Sequence, residues 1–429
     1  MQEPITIFEH RCTTGFPWAE GDLARLERLE HTIGACVLHA TAQHELEASQ
    51  YVGVVRLGKR TIQVLPKIHQ TNSDEEKKKE DATRALISML SYAGNFDVRE
   101  TDVAPLLLGK AAEWFEILTA LFAVHLKREW QNGAHRTYQA ASDVLPVLKG
   151  RWRIADQLRR PERKQVFEVT YDEFTADNQL NRVFRFVVEM LWKITRQFDS
   201  RRALGLLREW MDEVTLVDEV DPEEAAPALL TRLNQRYEPL LNLARLFLEM
   251  AVPSPRAGNV STFAFVFDMN QLFESFISNF IRRHRSEILP SRFNACELLV
   301  QSAGAVRALA QQGDREVFHL KPDILFRSGH TFPLIIDTKY KMLGAEAHSG
   351  VSQADFYQMY AYANRYCCDH TLLLFPQSVG MAKPVRERFS ICGTQVVVWA
   401  ATVDLTIGSD TRASRDRIKK ELRELLEEI

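Results

Sequence analysis

Lys321-Pro322-Asp323-Ile324-Leu325-Phe326 and, after a turn at Ser328-Gly329, Pro333-Leu334-Ile335-Ile336-Asp337-Thr338-Lys339 decide how this chain folds and what it can do. Short apolar runs on either side of a glycine-containing turn read as two neighbouring strands. On a strand, alternate side chains share a face at ~6.6 Å spacing, so Asp337 and Lys339 project together from the end of an apolar run. With a connection running from 327 to 333, Asp323 lies opposite Asp337 on the neighbouring strand and two carboxylates converge. Convergent acidic oxygens suit Mg²⁺.

A carboxylate and a lysine at the end of a buried strand need a reason, and phosphodiester hydrolysis supplies one. A divalent ion polarises the phosphate and lowers the pKa of a bound water, while a cation positions that water. Asp323, Asp337 and Lys339 meet this demand, and the carbonyl of Thr338 is a candidate further oxygen ligand. Pro322-Asp323 alone is uninformative, since an aspartate can simply open a strand after proline. The second carboxylate and the lysine at hairpin distance tip the reading towards chemistry.

Around this stretch the pattern is α/β: a helix over 268–284, strands over 316–326 and 332–339, a helix over 352–366, strands over 371–375 and 394–399, and a charged helix over 412–428. The segment Pro253-Ser254-Pro255-Arg256-Ala257-Gly258-Asn259 punctuates the chain before it. Upstream, 178–250 reads as helices, with Leu180, Val183, Phe184, Val187, Val188 and Leu191 at helical spacing. The first 70 residues read as β-rich, with runs at 51–57 and 61–65 flanking Gly58-Lys59-Arg60. Residues 71–81 form an exposed loop or solvated helix start, and 82–130 has helical spacing. The expectation is a multidomain α/β protein: a β-containing N-terminal region with helices over 1–170, a helical middle over 171–255, and a C-terminal domain over 256–429.

Several classes fall away. The composition, 45% hydrophobic and 26% charged, is that of a folded protein, and no apolar run approaches the ~20 residues that span a bilayer. With Met1-Gln2-Glu3-Pro4 lacking signal-peptide character, a cytoplasmic location without membrane contact is expected. The six cysteines have no C-x-x-C pair or zinc spacing, and read as reduced core residues, the Cys367-Cys368 pair included. A formal charge of −3 means that any nucleic-acid contact is local or shared with a partner. Gly53-Val54-Val55-Arg56-Leu57-Gly58-Lys59-Arg60 mimics a phosphate loop, but Arg60 stands where Ser or Thr must reach Mg²⁺, and a second strand follows where a helix is needed. No nucleotide is expected on this chain. The basic cluster Arg282-Arg283-His284-Arg285 can grip DNA, but it also ends a helix where cations favour the dipole. His319, Lys321 and Lys341 flank the candidate site and are weaker phosphate candidates.

Pro322-Asp323, Asp337-Thr338-Lys339 and Gln358-Met359-Tyr360-Ala361-Tyr362 resemble PD-(D/E)xK nucleases with a Q-x-x-x-Y element. More narrowly, the chain resembles the McrC family through Phe265-Val266-Phe267-Asp268-Met269-Asn270-Gln271-Leu272-Phe273-Glu274, Asp337-Thr338-Lys339-Tyr340-Lys341 and Asp355-Phe356-Tyr357-Gln358-Met359-Tyr360-Ala361-Tyr362. Upstream, Val64-Leu65-Pro66-Lys67-Ile68, 86–93, Leu148-Lys149-Gly150-Arg151 and 175–182 also look like that family. The resemblance implies a C-terminal PD-(D/E)xK domain and cleavage of double-stranded DNA carrying modified cytosine, with Mg²⁺ or Mn²⁺. It also implies an AAA+ GTPase ring (McrB-like) as partner, docked by the N-terminal half and stimulated in its GTP hydrolysis. Asp323 and Asp337 would bind metal, Lys339 would assist the nucleophile, Glu274 would be an accessory ligand, and Gln358 and Tyr362 would orient the site or touch the DNA backbone. Asp337 stands where many relatives carry Glu, a variation the pattern permits. Two rivals remain open: a stand-alone RecB-like repair nuclease, and an inactive assembly subunit that stimulates the GTPase.

Overall fold

The computed structural model describes residues 4–41, 45–58, 60–67, 75–94, 96, 113–160, 162, 165–252, 262–301, 303–343, 350–377, 384–408 and 410–429. The chain divides into two compact units: Met1–Ile117, Met250–Pro253 and Ser261–Ile429 form the first, and Leu118–Glu249 with Ser254–Val260 the second.

In the first unit, a five-stranded sheet has the order Ile5–Phe8, Arg60–Leu65, Tyr51–Leu57, Thr262–Asp268, Ala251–Val252. Its middle strands are the alternating runs of the N-terminal region, and the P-loop-like segment is a β-hairpin, Val54 opposite Gln63 and Leu57 opposite Arg60. Gly53 allows the Thr262–Asp268 strand to close on this hairpin. It pairs with Val266, and a Cβ placed on it would stand 2.1 Å from the Phe265 carbonyl oxygen. The sheet therefore joins residues more than 200 positions apart, and the division differs from the consecutive segments 1–170, 171–255 and 256–429. Apolar periodicity reports which face of a strand is buried, not which distant strand it pairs with. The helix Glu75–Ala93 packs on the helix Met269–Arg283. Residues 71–74 and 97–112, expected in part as helix, lie outside the described residues.

A six-stranded sheet follows in the order Glu297–Val300, Ile324–Ser328, Thr331–Thr338, His370–Pro376, Val397–Val403, Arg386–Ser390. The helix Gln353–Tyr366 links Thr331–Thr338 to its parallel neighbour His370–Pro376 and packs on both. Buried Leu325, Ile335, Leu373, Met359, Tyr362 and Tyr366 fill the layer between. The runs Leu334-Ile335-Ile336 and Leu372-Leu373-Leu374 are fully apolar because both faces of these central strands are covered. The strand expected over 316–326 is two strands. Arg315–Leu320 pairs with Arg307–Gln312 in a separate two-stranded sheet, and only Ile324–Ser328 joins the main one. Pro322, with no N–H to donate, lies at the break. The closing helix, Thr411–Glu428, buries Ile418, Leu422, Leu425 and Leu426.

The second unit holds a three-stranded sheet, Thr137–Leu145, Phe167–Thr175 and Arg151–Trp152, and the helices Gln179–Ile194, Phe198–Trp210 and Glu238–Met250. Asn178 caps the first helix by accepting from the Asn181 N–H at 3.1 Å, and its apolar spacing is its buried face. The sheet and the short helix Ile154–Leu158 leave apolar side chains in solvent: Tyr138 is 73% exposed and Phe174 54% on the sheet, and Leu158 74% at the helix end.

The cysteine reading needs correction. Cys296 and Cys368 are buried, but Cys12, Cys36, Cys367 and Cys392 are exposed. Cys367 caps the end of a helix in a left-handed conformation, φ 52°. No described helix is long and apolar enough to cross a membrane.

Candidate active site

The hairpin register builds the site. Ile324 pairs with Ile336, so Asp323, one residue before its strand, comes level with Asp337. The turn is tighter than 327–333, since the strands run to Ser328 and from Thr331. Asp323 Oδ2 accepts from both the Thr338 N–H and the Thr338 hydroxyl, each at 2.7 Å. One threonine thus locks the two strand ends together and orients the carboxylate. Asp337 is 1% exposed, and its Oδ2 lies 2.6 Å from the Lys339 Nζ. Lys339 is held in turn by its N–H, which donates to the Leu374 carbonyl at 2.9 Å.

Charge crowding marks this as a site built for something more than stability. Burial, then the neighbouring Asp323, push the Asp337 carboxyl up to about 7 despite the ammonium beside it. Burial raises Asp323 as well, against the two hydrogen bonds from Thr338. Burial opposes the charge on Lys339, but Asp337, Asp323 and Asp355 outweigh it and raise its pKa, so it remains an ammonium. Glu274, half-buried on the Met269–Arg283 helix, is raised by burial and by Asp323, with Gln301 hydrogen-bonded to it. A buried group of carboxylates with a single lysine favours an added cation.

The donor set is two aspartates and a strand-end carbonyl, with Glu274 alongside. Among the described residues no three His, Cys, Asp or Glu side chains already close around one point. Two carboxylates with a carbonyl are a donor set of the kind Mg²⁺ takes, the rest of its shell being water and substrate phosphate.

Gln358 and Tyr362 stand one turn apart on the Gln353–Tyr366 helix, and the Gln358 Nε2 donates to the Tyr362 hydroxyl at 2.7 Å. Burial and then Asp337 raise the Tyr362 phenol, so its ring lies within the field of the site. Lys341 pairs with Asp355 on the same helix, with Ser352 donating to that carboxylate at 2.6 Å. His319 and Lys321 are exposed, and among the described residues neither is tied to the site carboxylates by a hydrogen bond or ion pair.

Sequence reasoning missed three contributors. Gln301 donates its N–H to the Asp323 carbonyl at 2.7 Å and sits at φ 51°, a strained conformation for a side chain of its size. Asp355 was visible only as part of a family-like stretch. Glu9 accepts from the Tyr340 hydroxyl at 2.6 Å and the Lys67 N–H at 2.8 Å, anchoring the residue next to Lys339. Nothing in local sequence connects residue 9 to residue 340.

A family model described as McrBC 5-methylcytosine restriction system component matches residues 46–376. Among solved structures, the chain is similar to one in the refined half-complex from the tetradecameric assembly of Thermococcus gammatolerans McrB AAA+ hexamers with bound McrC. The TM-score is 0.72 at 22% identity, over 99% of this chain and 99% of that one. It is also similar to a chain in the cryo-EM structure of the Thermococcus gammatolerans McrBC complex, with a TM-score of 0.53 at 24% identity, over 66% of this chain and 88% of that one. At these identities the likeness is one of fold. No curated protein matches the chain.

Proposed function

This chain belongs to the family of McrBC 5-methylcytosine restriction system components, and on that premise we propose that it is the DNA-cleaving subunit, McrC-like, of such a system. Its C-terminal α/β layer is read as a PD-(D/E)xK endonuclease, dependent on Mg²⁺ or Mn²⁺. It works with a McrB-like AAA+ GTPase whose GTP hydrolysis it stimulates, on double-stranded DNA carrying modified cytosine. The observation that carries the reading is the meeting of Asp323 and Asp337 across one hairpin, with Lys339 ion-paired to the buried carboxylate.

Asp323, Asp337 and the Thr338 carbonyl would hold the metal, with Glu274 as accessory ligand. When bound, the metal supplies polarisation of the phosphate and activation of water. The chain's own groups do the rest. Thr338 fixes the Asp323 carboxylate, the Lys339 ammonium positions the nucleophile and offsets developing charge, and the Gln358–Tyr362 pair orients the site from the covering helix. Docking to the partner is supported by the apolar surface that the second unit exposes at Tyr138, Leu158 and Phe174, since such patches mark interaction sites.

The test is cleavage of cytosine-methylated and unmethylated plasmid with Mg²⁺, with and without the candidate GTPase and GTP, comparing wild type with Asp337→Ala. The expected result is cutting of modified DNA only, with partner and GTP only, lost in Asp337→Ala while GTPase stimulation survives. Cutting without any partner would replace this reading with a repair nuclease. GTPase stimulation without cleavage of any modified DNA would make the chain a regulator.

A further inference from the structure

The Arg282–Arg285 basic cluster does not stand alone in the structure, because the far C-terminus of the chain folds against it. Where the Thr411–Glu428 helix meets the end of the Met269–Arg283 helix there is an open concavity of about 800 Å³. Its cations are Arg412, Arg415, Lys419, Lys420 and Arg423, and its acids are Glu287 and Asp416. None of the proposed catalytic residues lines it.

We propose that this concavity binds the phosphate backbone of duplex DNA, as a second contact that holds the substrate of the cleavage reaction proposed above. Four observations point there. First, the five cations recur along one face of a single helix, and at ~1.5 Å per residue the span from 412 to 423 is about 16 Å, roughly five base steps of duplex. Second, both acids are engaged by one cation: Lys419 lies 2.9 Å from Glu287 and 3.0 Å from Asp416. Third, among the described residues the ion pairs of Lys420 and Arg423 are exposed ones one turn away, Glu424 at 3.7 Å and Glu427 at 2.9 Å. Pairs of that kind contribute little and give way to a phosphate. Fourth, Arg412 and Arg415 lie at the start of the helix, where the dipole disfavours cations, with the Asp410 N-cap as the acid at that end.

The polyanion reading also answers the charge problem. A chain of net charge −3 repels DNA on average and needs a concentrated patch to engage it. Guanidinium groups suit phosphate through paired N–H donors. Arg415 is further steadied by the Tyr92 hydroxyl, which also lies 2.9 Å from the His284 Nε2, so the floor of the concavity is preorganised.

The experiment uses the full chain without divalent metal and a short, unmodified, fluorescently labelled duplex, with the dissociation constant measured across a salt series. The variant is Arg412→Ala/Lys420→Ala/Arg423→Ala, all exposed positions, with the triple lysine–arginine exchange Arg412→Lys/Lys420→Arg/Arg423→Lys as the charge-preserving control. Each lost phosphate contact lowers the slope of log K against log salt by ~0.9, so the alanine variant should lose about two to three from the slope and bind at least ~10-fold more weakly at low salt. The control should bind like wild type. Equal affinity and slope for wild type and alanine variant would overturn the proposal. So would unchanged DNA binding with lost association to the GTPase, which would assign the patch to an acidic protein surface. Because the readout is binding, a chain that binds DNA through this patch yet cuts nothing would sink the nuclease reading alone.

Discussion

Thr338 is the residue on which the site's geometry depends most directly, because its N–H and hydroxyl both donate to Asp323. Thr338→Val keeps the strand shape and removes one donor. Cleavage should fall ~10–100-fold, the usual cost of losing a partner that orients a ligand. Thr338→Ser should retain most activity, and equal rates for the two variants would show that the hydroxyl does nothing. Glu9 makes a different prediction. It is fully buried, both hydrogen bonds fall on Oε1, Oε2 has none, and burial, only partly offset by Lys67, pushes its carboxyl up to about 7. The fold favours the protonated form, so this contribution is fully present below about pH 4.5 and is lost as pH rises through 7. The loss is on the order of 3 kcal/mol at most. Glu9→Gln should therefore melt closer to wild type at pH 5 and above it at pH 8, by thermal unfolding. Parallel melting curves across that range would refute a protonated Glu9. Asp323 and Asp337 were legible in sequence because hairpin register is local. Glu9, Gln301 and Asp355 were not, because their roles arise from contacts made across the fold.

At the scale of elements, the pairing of Tyr51–Leu57 with Thr262–Asp268 governs where the Glu274 helix begins. Met269 donates its N–H to the Gln50 carbonyl at 3.2 Å, and the Gln50 Nε2 donates to Asp268 Oδ2 at 2.9 Å, immediately before that helix. Gly53 lies at the point of closest approach. Gly53→Val should cost at least ~1–3 kcal/mol through overpacking against backbone that cannot yield, seen as a lower melting temperature. It should also reduce cleavage beyond the loss of folded protein, because the helix start moves. Unchanged melting would mean that the strands tolerate a wider separation than the structure shows. The helices with strong apolar spacing, Gln179–Ile194 and Thr411–Glu428, matched their sequence patterns closely. The outer strands Glu297–Val300 and Arg386–Ser390 did not show in sequence, the first because four residues are too short to display a period and the second because it carries a single apolar residue, Phe389, so that in both the pairing is decided by the neighbour.

For the whole molecule, the proposed docking surface and the proposed cleavage site fall on different units, the exposed apolar residues on the second and the carboxylate site on the first. Tyr138 and Phe174 stack at 4.9 Å on the sheet of the second unit and are mostly in solvent. Tyr138→Asp/Phe174→Asp should leave stability within ~0.5 kcal/mol per site, as exposed substitutions do, while abolishing stimulation of the GTPase. Pull-down and GTP hydrolysis measured together check this, and full stimulation by the double variant would place the docking surface elsewhere.

What the sequence by itself determined was everything written in local period and spacing: the α/β character of the last third, the hairpin that sets Asp323 against Asp337, the lysine two residues on, and the helix carrying Gln358 and Tyr362. Those features depend on backbone geometry over a few residues, which side-chain pattern encodes directly. The tertiary structure alone decided that the N-terminal hairpin shares a sheet with residues 262–268, that Glu9 anchors Tyr340, and that the last helix brings its cations to the end of the Met269–Arg283 helix. Each of these rests on burial and pairing between segments far apart in the chain, and no local pattern specifies which distant surface will cover a given apolar face or meet a given charge.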